Sequence, residues 1–339
     1  MKILVTGPCY YPLGGTGYAG MERLTALLAV EWAKVHEVKV VGGRGSALAG
    51  VETLAGAEVG SFEGAERAAF REFGWLLDWA DVVIDLSHSH YFRRGEAPGA
   101  SWIWHDPKLM QPPLPRTGVY ALSQWQAKRH LEETGQHVEV LDCICADPAV
   151  YYYDERVEVG ERWFSLGIFD ANKGQKEAAL IAEKAGIGLD LAGKPVDAEV
   201  VAVVKEVERR THGRVKYLGE LFGTKEAFMR HARGMLYWPS YKEGFGEEHS
   251  HKLVEALMMG VPCLVRDQGA MMEVFGSPAW ISRDKEGLLR DIQRAEWAQT
   301  SAGGLSYINR PFSAAKAASR WSVPNVARRI ISEVERCKP

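Results

Sequence analysis

The chain has 339 residues, a formal net charge of −3, 46% hydrophobic and 25% charged residues, and 5 cysteines. That length allows about two domains of ordinary size, each with its own core. The near-balanced charge excludes a protein that coats nucleic acid or an anionic membrane in bulk.

An odd cysteine count without a short, regular framework speaks for a reducing compartment. No apolar run approaches the roughly 18 residues of a membrane span. The start, Met1 to Thr6, holds only Ile3-Leu4-Val5 as an apolar run, too short for a signal segment. A cytoplasmic protein is expected.

Short β-rich runs fall at Ile3–Thr6, Val38–Val41, Val82–Leu86, Trp102–Trp104, Val119–Leu122 and Val138–Leu141. Helical stretches lie between several of them. In Met21 to Lys34 the residues Met21, Leu24, Leu28 and Trp32 recur at helical spacing. The alternation predicts parallel βαβ units in a doubly wound sheet. The pattern then restarts. Strands are predicted at Trp163–Leu166, Gly188–Ala192, Val215–Leu218, Met235–Trp238 and Val261–Val265. Helices are predicted near Gln175–Ala185, Glu199–Arg210, Lys225–His231 and Lys252–Met259. The boundary falls in the polar stretch Asp147–Gly160. Pro311 to Arg336 reads as helix, interrupted near Pro324, with Val326, Ile330 and Val334 on one face.

The expected division is residues 1–148, 149–310 and a helical tail 311–339, which could pack on either domain. Two such domains facing each other would form a cleft, and open α/β sheets bind ligands beyond their strands' carboxyl ends.

After the first strand come Gly7-Pro8 and then Gly14-Gly15-Thr16-Gly17-Tyr18-Ala19-Gly20, ahead of the first helix. Glycines there allow close backbone approach, and a helix N-terminus suits a phosphate; a plain turn would need them too. The spacing departs from G-x-G-x-x-G, and the second strand ends Val41-Gly42-Gly43-Arg44 without a ribose-binding acid. A dinucleotide dehydrogenase is therefore not favoured.

In the second half, Leu166 to Gly174 puts Lys173 where a strand gives way to a helix, within reach of a phosphate. Pro239 to Gly246 leads through Glu247, Glu248 and His249 into a helix closed by Gly260 and Pro262. Carboxylates near it can accept bonds from sugar or ribose hydroxyls, or simply complement the helix dipole. Gln268-Gly269-Ala270 forms a further glycine turn. The pairs Cys143/Cys145 and His249/His251 lack metal-site spacing, and no D-x-D pair occurs in these segments, so no metal is expected.

Taken in order, these segments resemble the two-domain GT-B nucleotide-sugar glycosyltransferases of the retaining family 4, over nearly the whole chain. Gly17 to Arg23 resembles the family's Gly-Gly-x-Glu-Arg loop, His36-Glu37-Val38 its "G-H-E-V" strand, and Leu166 to Gly174 its "G-R-L-x-x-x-K-G". Leu191 to Lys194 and Tyr217 to Gly219 resemble the next two strand ends. Pro239 to Pro262 resembles "P-S-x-x-E-G-F-G…E-A-x-x-x-G-x-P". The resemblance implies an α/β fold of two Rossmann-like domains with parallel sheets facing across a cleft, the first on the acceptor side and the second holding the donor.

It also implies roles. Gly20 and Lys173 would meet the donor diphosphate, Glu255 the nucleotide ribose, and the backbone at Gly269 and Ala270 the sugar or phosphate. Glu243 matches the sugar-side glutamate, with Glu247 as the second choice. His105 resembles the strand-end histidine near the reacting centre. On the acceptor side, Glu22, His88, His90 and Arg93 are candidates, and Ser123 resembles a helix N-cap.

The sequence departs from the family at three points. The arginine after the strand-end glycine is Ile168, which removes one diphosphate cation. Glu243 and Glu255 are separated by eleven residues in place of the usual seven, while Glu247 keeps the seven without the Gly-Phe-Gly. The first glycine of the Gly-Gly pair is Ala19.

The expected activity is retaining transfer of a sugar from a nucleoside-diphosphate sugar, with a UDP-sugar slightly favoured, to an unidentified hydroxyl acceptor. No cofactor is expected. The acceptor could be lipid, saccharide, metabolite, protein or a modified DNA base, although bulk charge gives no sign of nucleic acid. Alternatives are an epimerase or phosphorylase on the same fold, or a binding protein without turnover.

Overall fold

The computed structural model describes residues 1–14, 20–56, 61–93, 98–104, 115, 117–221, 225–241, 250–276, 279–300 and 309–336. The chain forms two units, residues 1–146 with 322–339, and residues 147–321.

The first unit opens with β1 (Lys2–Thr6), whose Ile3, Leu4 and Val5 are fully buried. Helix α1 (Gly20–Ala33) follows and buries Leu24, Leu28 and Trp32 at four-residue spacing. Then come β2 (Glu37–Gly42), β3 (Glu52–Ala55), α2 (Phe62–Phe73), α3 (Leu76–Trp79) and β4 (Val82–Asp85). After a single 3₁₀ turn at Tyr91–Arg93 the unit continues with β5 (Gly99–Trp102), β6 (Val119–Ala121), α4 (Gln124–Thr134) and β7 (Glu139–Val140). Among the described residues the sheet has seven parallel strands in the order β3-β2-β1-β4-β5-β6-β7.

The second unit repeats the scheme with β8 (Trp163–Leu166), α5 (Gln175–Ala185), β9 (Leu189–Ala192), α6 (Ala198–Arg210), β10 (Val215–Gly219) and α7 (Lys225–Arg230). It continues through β11 (Met235–Tyr237), α8 (His251–Met258), β12 (Cys263–Arg266), α9 (Met271–Phe275), β13 (Trp280–Ser282), α10 (Lys285–Thr300) and α11 (Arg310–Trp321). Among the described residues its six parallel strands run β10-β9-β8-β11-β12-β13. The core on one face joins Trp163, Leu189 and Leu191 of the sheet to Ala178, Ala182, Val204, Leu288 and Ile292 of the helices.

At Trp321 the chain leaves the second unit. The last helix, α12 (Val323–Arg336), packs on α1, and the Trp32 indole N–H donates to the Ala327 carbonyl at 3.1 Å.

Both sheets are doubly wound. The direction of winding reverses between β1 and β4 in the first and between β8 and β11 in the second. Parallel open sheets place their ligands beyond the carboxyl ends of the strands at such switch points.

Strands β3 and β13 are additional to those expected, and one expected strand is displaced. The strand expected at Trp102–Trp104 runs Gly99–Trp102, because Gly99 lies flush against the Val83 carbonyl of β4 and starts the pairing earlier. Ser123 caps α4 as expected, accepting the Gln126 N–H at 3.1 Å. Cys143 and Cys145 are free thiols, both fully buried. Among the described residues no helix is long and apolar enough to cross a membrane.

Candidate functional site

The switch point of the second sheet is built from loops after β8, β11 and β12. Past β8, the Asp170 carboxylate accepts the N–H groups of Asn172 and Lys173, both at 2.8 Å, and folds residues 170–173 into a tight turn. Gly174 takes φ 74 at the N-cap of α5, where a Cβ would overlap the Trp238 carbonyl. This close approach brings the start of α5 against the end of β11. Buried Gln175 locks the turn, accepting from the Ser165 hydroxyl at 2.7 Å and donating to the Gly167 carbonyl at 3.0 Å.

The segment after β11 is held from both sides. The Ser240 N–H donates to the Asn172 carbonyl at 2.8 Å, and the Lys173 ammonium donates to the Tyr241 hydroxyl. From β12, Arg266 donates to the Pro239 carbonyl at 2.9 Å, and its guanidinium lies 5.5 Å from the Trp238 ring centroid. Gln268 exchanges two bonds with the Tyr241 backbone, at 2.8 and 3.3 Å. Gly269 follows in a left-handed conformation at φ 63, and Ala270 is the N-cap of α9. Two cations, Lys173 after β8 and Arg266 at the end of β12, therefore both hold the segment that follows β11, the strand between them.

Glu255, on α8, is 1% exposed, and its carboxylate pairs with the Lys225 ammonium of α7 at 2.7 Å. That ammonium also lies 5.4 Å from the Tyr151 ring centroid. A buried carboxylate needs such a partner.

The first unit collects the other candidates near the carboxyl ends of β1 and β4. Gly20 opens α1, and Glu22 in its first turn is buried, which raises its pKa. Glu66 of α2 accepts the backbone N–H groups of His88 and Ser89 at 2.9 and 2.7 Å. Burial pushes Glu66 up to about 7 even though these bonds pull the other way. Asp85 accepts both the N–H and the hydroxyl of Ser87, at 2.9 and 2.6 Å. His90 lies 3.9 Å from the same carboxylate and adopts φ 49, a conformation most side chains avoid. Arg93 is 1% exposed and donates to the Thr117 carbonyl at 2.6 Å.

Thus Lys173, Gly269 and Ala270 stand at the second sheet's carboxyl edge and Glu255 on the neighbouring α8, while Gly20, Glu22, His88, His90 and Arg93 belong to the first unit. His105, Glu243 and Glu247 lie outside the described residues. Sequence reasoning missed Tyr241, Lys225, Glu66 and Asp85. Their partners are 22 to 68 residues away for Glu66, Lys225 and Tyr241, so no local spacing marks them.

No protein family's sequence profile matches the chain, and no curated protein matches it in sequence. Solved structures match along its whole length. AviGT4, a glycosyltransferase involved in avilamycin A biosynthesis, superposes with a TM-score of 0.73 at 21% identity, over 99% of this chain and 97% of that one. Sucrose-phosphate synthase from Thermosynechococcus elongatus gives 0.71 at 13% identity, over 99% and 98%. HepE from Anabaena, solved in complex with UDP, gives 0.67 at 16% identity, over 99% and 100%. These likenesses establish the fold: two Rossmann-like α/β domains with parallel sheets, as in GT-B glycosyltransferases.

Proposed function

We propose that the protein is a glycosyltransferase that moves a sugar from a nucleoside-diphosphate sugar to a hydroxyl acceptor. The observation that carries this reading is the grip of Lys173 on Tyr241 across the second sheet's switch point, beside Arg266. A cationic strand edge of this kind suits a diphosphate. HepE, a structural neighbour, has been solved with UDP and with UDP-glucose, which supports a uridine nucleotide as donor.

In this reading residues 149–310 take the donor and 1–148 the acceptor. Departure of the nucleoside diphosphate builds negative charge on phosphate oxygens and positive character on the sugar ring. A preorganised ammonium lowers that barrier without reorganising solvent. Lys173 supplies it, and Arg266 adds field where the resemblance would place an arginine at Ile168. Glu255, oriented by Lys225, accepts from the ribose hydroxyls. Family 4 chemistry proceeds with retention, the acceptor attacking on the face the diphosphate leaves and passing its proton to that diphosphate. Glu243 or Glu247 would stand beside the transferred sugar and His105 near the reacting carbon. A cytoplasmic location belongs to the same proposal.

A panel of UDP-, GDP- and ADP-sugars, with nucleoside diphosphate release as readout, tests it. Release from one donor class, faster with an added acceptor, is the expected result. Tight donor binding with no release under any acceptor would leave a binding protein instead.

A further inference from the structure

The first sheet carries a row of buried polar side chains whose bonding capacity the described residues only partly use. In the register of β1, β4 and β5, Thr6 pairs with Asp85 and Asp85 with Ser101. Paired residues of neighbouring parallel strands project to one side of the sheet. Leu4 and Val83, two residues earlier on that side, pack against Ala65 and Ala69 of α2 and against Tyr91 and Phe92. The row therefore lies just beyond an apolar layer, at the carboxyl edge and straddling the switch point between β1 and β4.

All three residues are fully buried. Yet among the described residues the Thr6 hydroxyl, the Asp85 Oδ2 and the Ser101 hydroxyl have no hydrogen-bond partner, and the same holds for Nε and Nη1 of buried Arg93. The other Asp85 oxygen is taken by Ser87, and Arg93 Nη2 by Thr117. Buried polar atoms in native proteins are nearly always met by a partner, and Arg93 lies close enough to Asp85 for their charges to interact, so the five atoms in four residues gather at one place that a ligand could satisfy.

The atoms define its chemistry. Asp85 Oδ2 can only accept, Arg93 Nε and Nη1 can only donate, and the two hydroxyls do either. A ligand must then donate and accept from neighbouring atoms, as vicinal hydroxyl groups do. An anion would meet Asp85, with the Glu66 carboxyl also close enough to feel its charge. A cation would meet Arg93. We propose that Thr6, Asp85, Ser101 and Arg93 form a subsite for the hydroxyl groups of an uncharged, polyhydroxylated ligand of sugar or cyclitol type. Calling that ligand the acceptor rests on the glycosyl-transfer reading; its binding does not.

The test titrates the full chain with methyl α-glucopyranoside, myo-inositol and glucose 6-phosphate, following ligand NMR signals and heat, beside a UDP titration. At least one neutral ligand binds saturably, and glucose 6-phosphate binds no more tightly than the neutral glycoside. Ser101→Ala weakens the neutral ligand by about fivefold to tenfold and leaves UDP affinity unchanged. Thr6→Val is the second variant if Ser101→Ala folds poorly. Absence of saturation with both neutral ligands overturns the proposal, because the polar row is then met by water only. Tighter binding of the phosphate overturns it, and so does neutral binding that ignores both substitutions. Failure of UDP to bind while a neutral ligand does would instead contradict the donor reading.

Discussion

The Lys173 ammonium donates to the Tyr241 hydroxyl across the point where the second sheet reverses its winding, joining the loop after β8 to the segment after β11. One bond thus ties together the two segments that flank the proposed diphosphate position.

Replacing Lys173 therefore removes a charge-assisted donor as well as a clamp. Lys173→Ala is expected to weaken nucleoside diphosphate binding by about tenfold or more. Tyr241→Phe keeps the ammonium and loses only its partner, so the expected change is about threefold or less. Calorimetric titration of both variants checks the order. Equal losses would mean that Lys173 serves the loop rather than the ligand.

The Lys225–Glu255 pair makes an asymmetric prediction. Glu255 is deeply buried, whereas the Lys225 side chain keeps 22% of its surface. Lys225→Met strands a buried carboxylate and is expected to cost about 2–3 kcal/mol. Glu255→Gln leaves a lysine that can turn to water, at about 1 kcal/mol. Urea unfolding of the two variants and their double variant measures the coupling, and additive losses would show the pair to be energetically idle.

Gly174 is fixed by geometry rather than chemistry. Its φ of 74 and the Trp238 carbonyl at the position of a Cβ both exclude a side chain. Gly174→Ala is expected to cost about 2 kcal/mol or more and to weaken UDP binding, since the start of α5 must move. Unchanged melting and affinity would contradict this account of the turn.

Glu66 predicts a pH dependence. Its carboxyl titrates at about 7 in the folded chain, against 4.5 as the ordinary value. Between these values the folded state binds more protons than the unfolded one, so stability falls as pH rises. The contribution is complete below pH 4.5, is lost through about pH 7, and amounts to at most the order of 3 kcal/mol. Melting temperatures across pH 5–8 should decline more steeply in the wild type than in Glu66→Gln. Parallel profiles would remove Glu66 from this role.

Much of the architecture is legible in the sequence because it depends on local repetition. The alternation of apolar runs with helical spacing marks eleven of the strands, and Gly260 with Pro262 marks the end of α8. Strands β3 and β13 escape because they sit at the sheet edges, where Glu52–Ala55 and Trp280–Ser282 are short and only partly buried. Helix α2 escapes because its core-facing positions are small, Ala65 and Ala69, and Gly64 falls in its first turn. At the site, Lys173 and Glu255 could be picked out through resemblance, but their partners Tyr241 and Lys225 could not. The row Thr6–Asp85–Ser101 is invisible in the sequence for the same reason, since only strand register brings these residues together.

The central claim, that the second sheet's switch point holds a nucleoside diphosphate, is tested most directly by titrating wild type and Lys173→Ala with uridine, UMP and UDP. The wild type is expected to prefer UDP over UMP by about tenfold or more, and Lys173→Ala to erase most of that preference. A wild type that binds all three alike, or a variant that keeps the full preference for UDP, would contradict it.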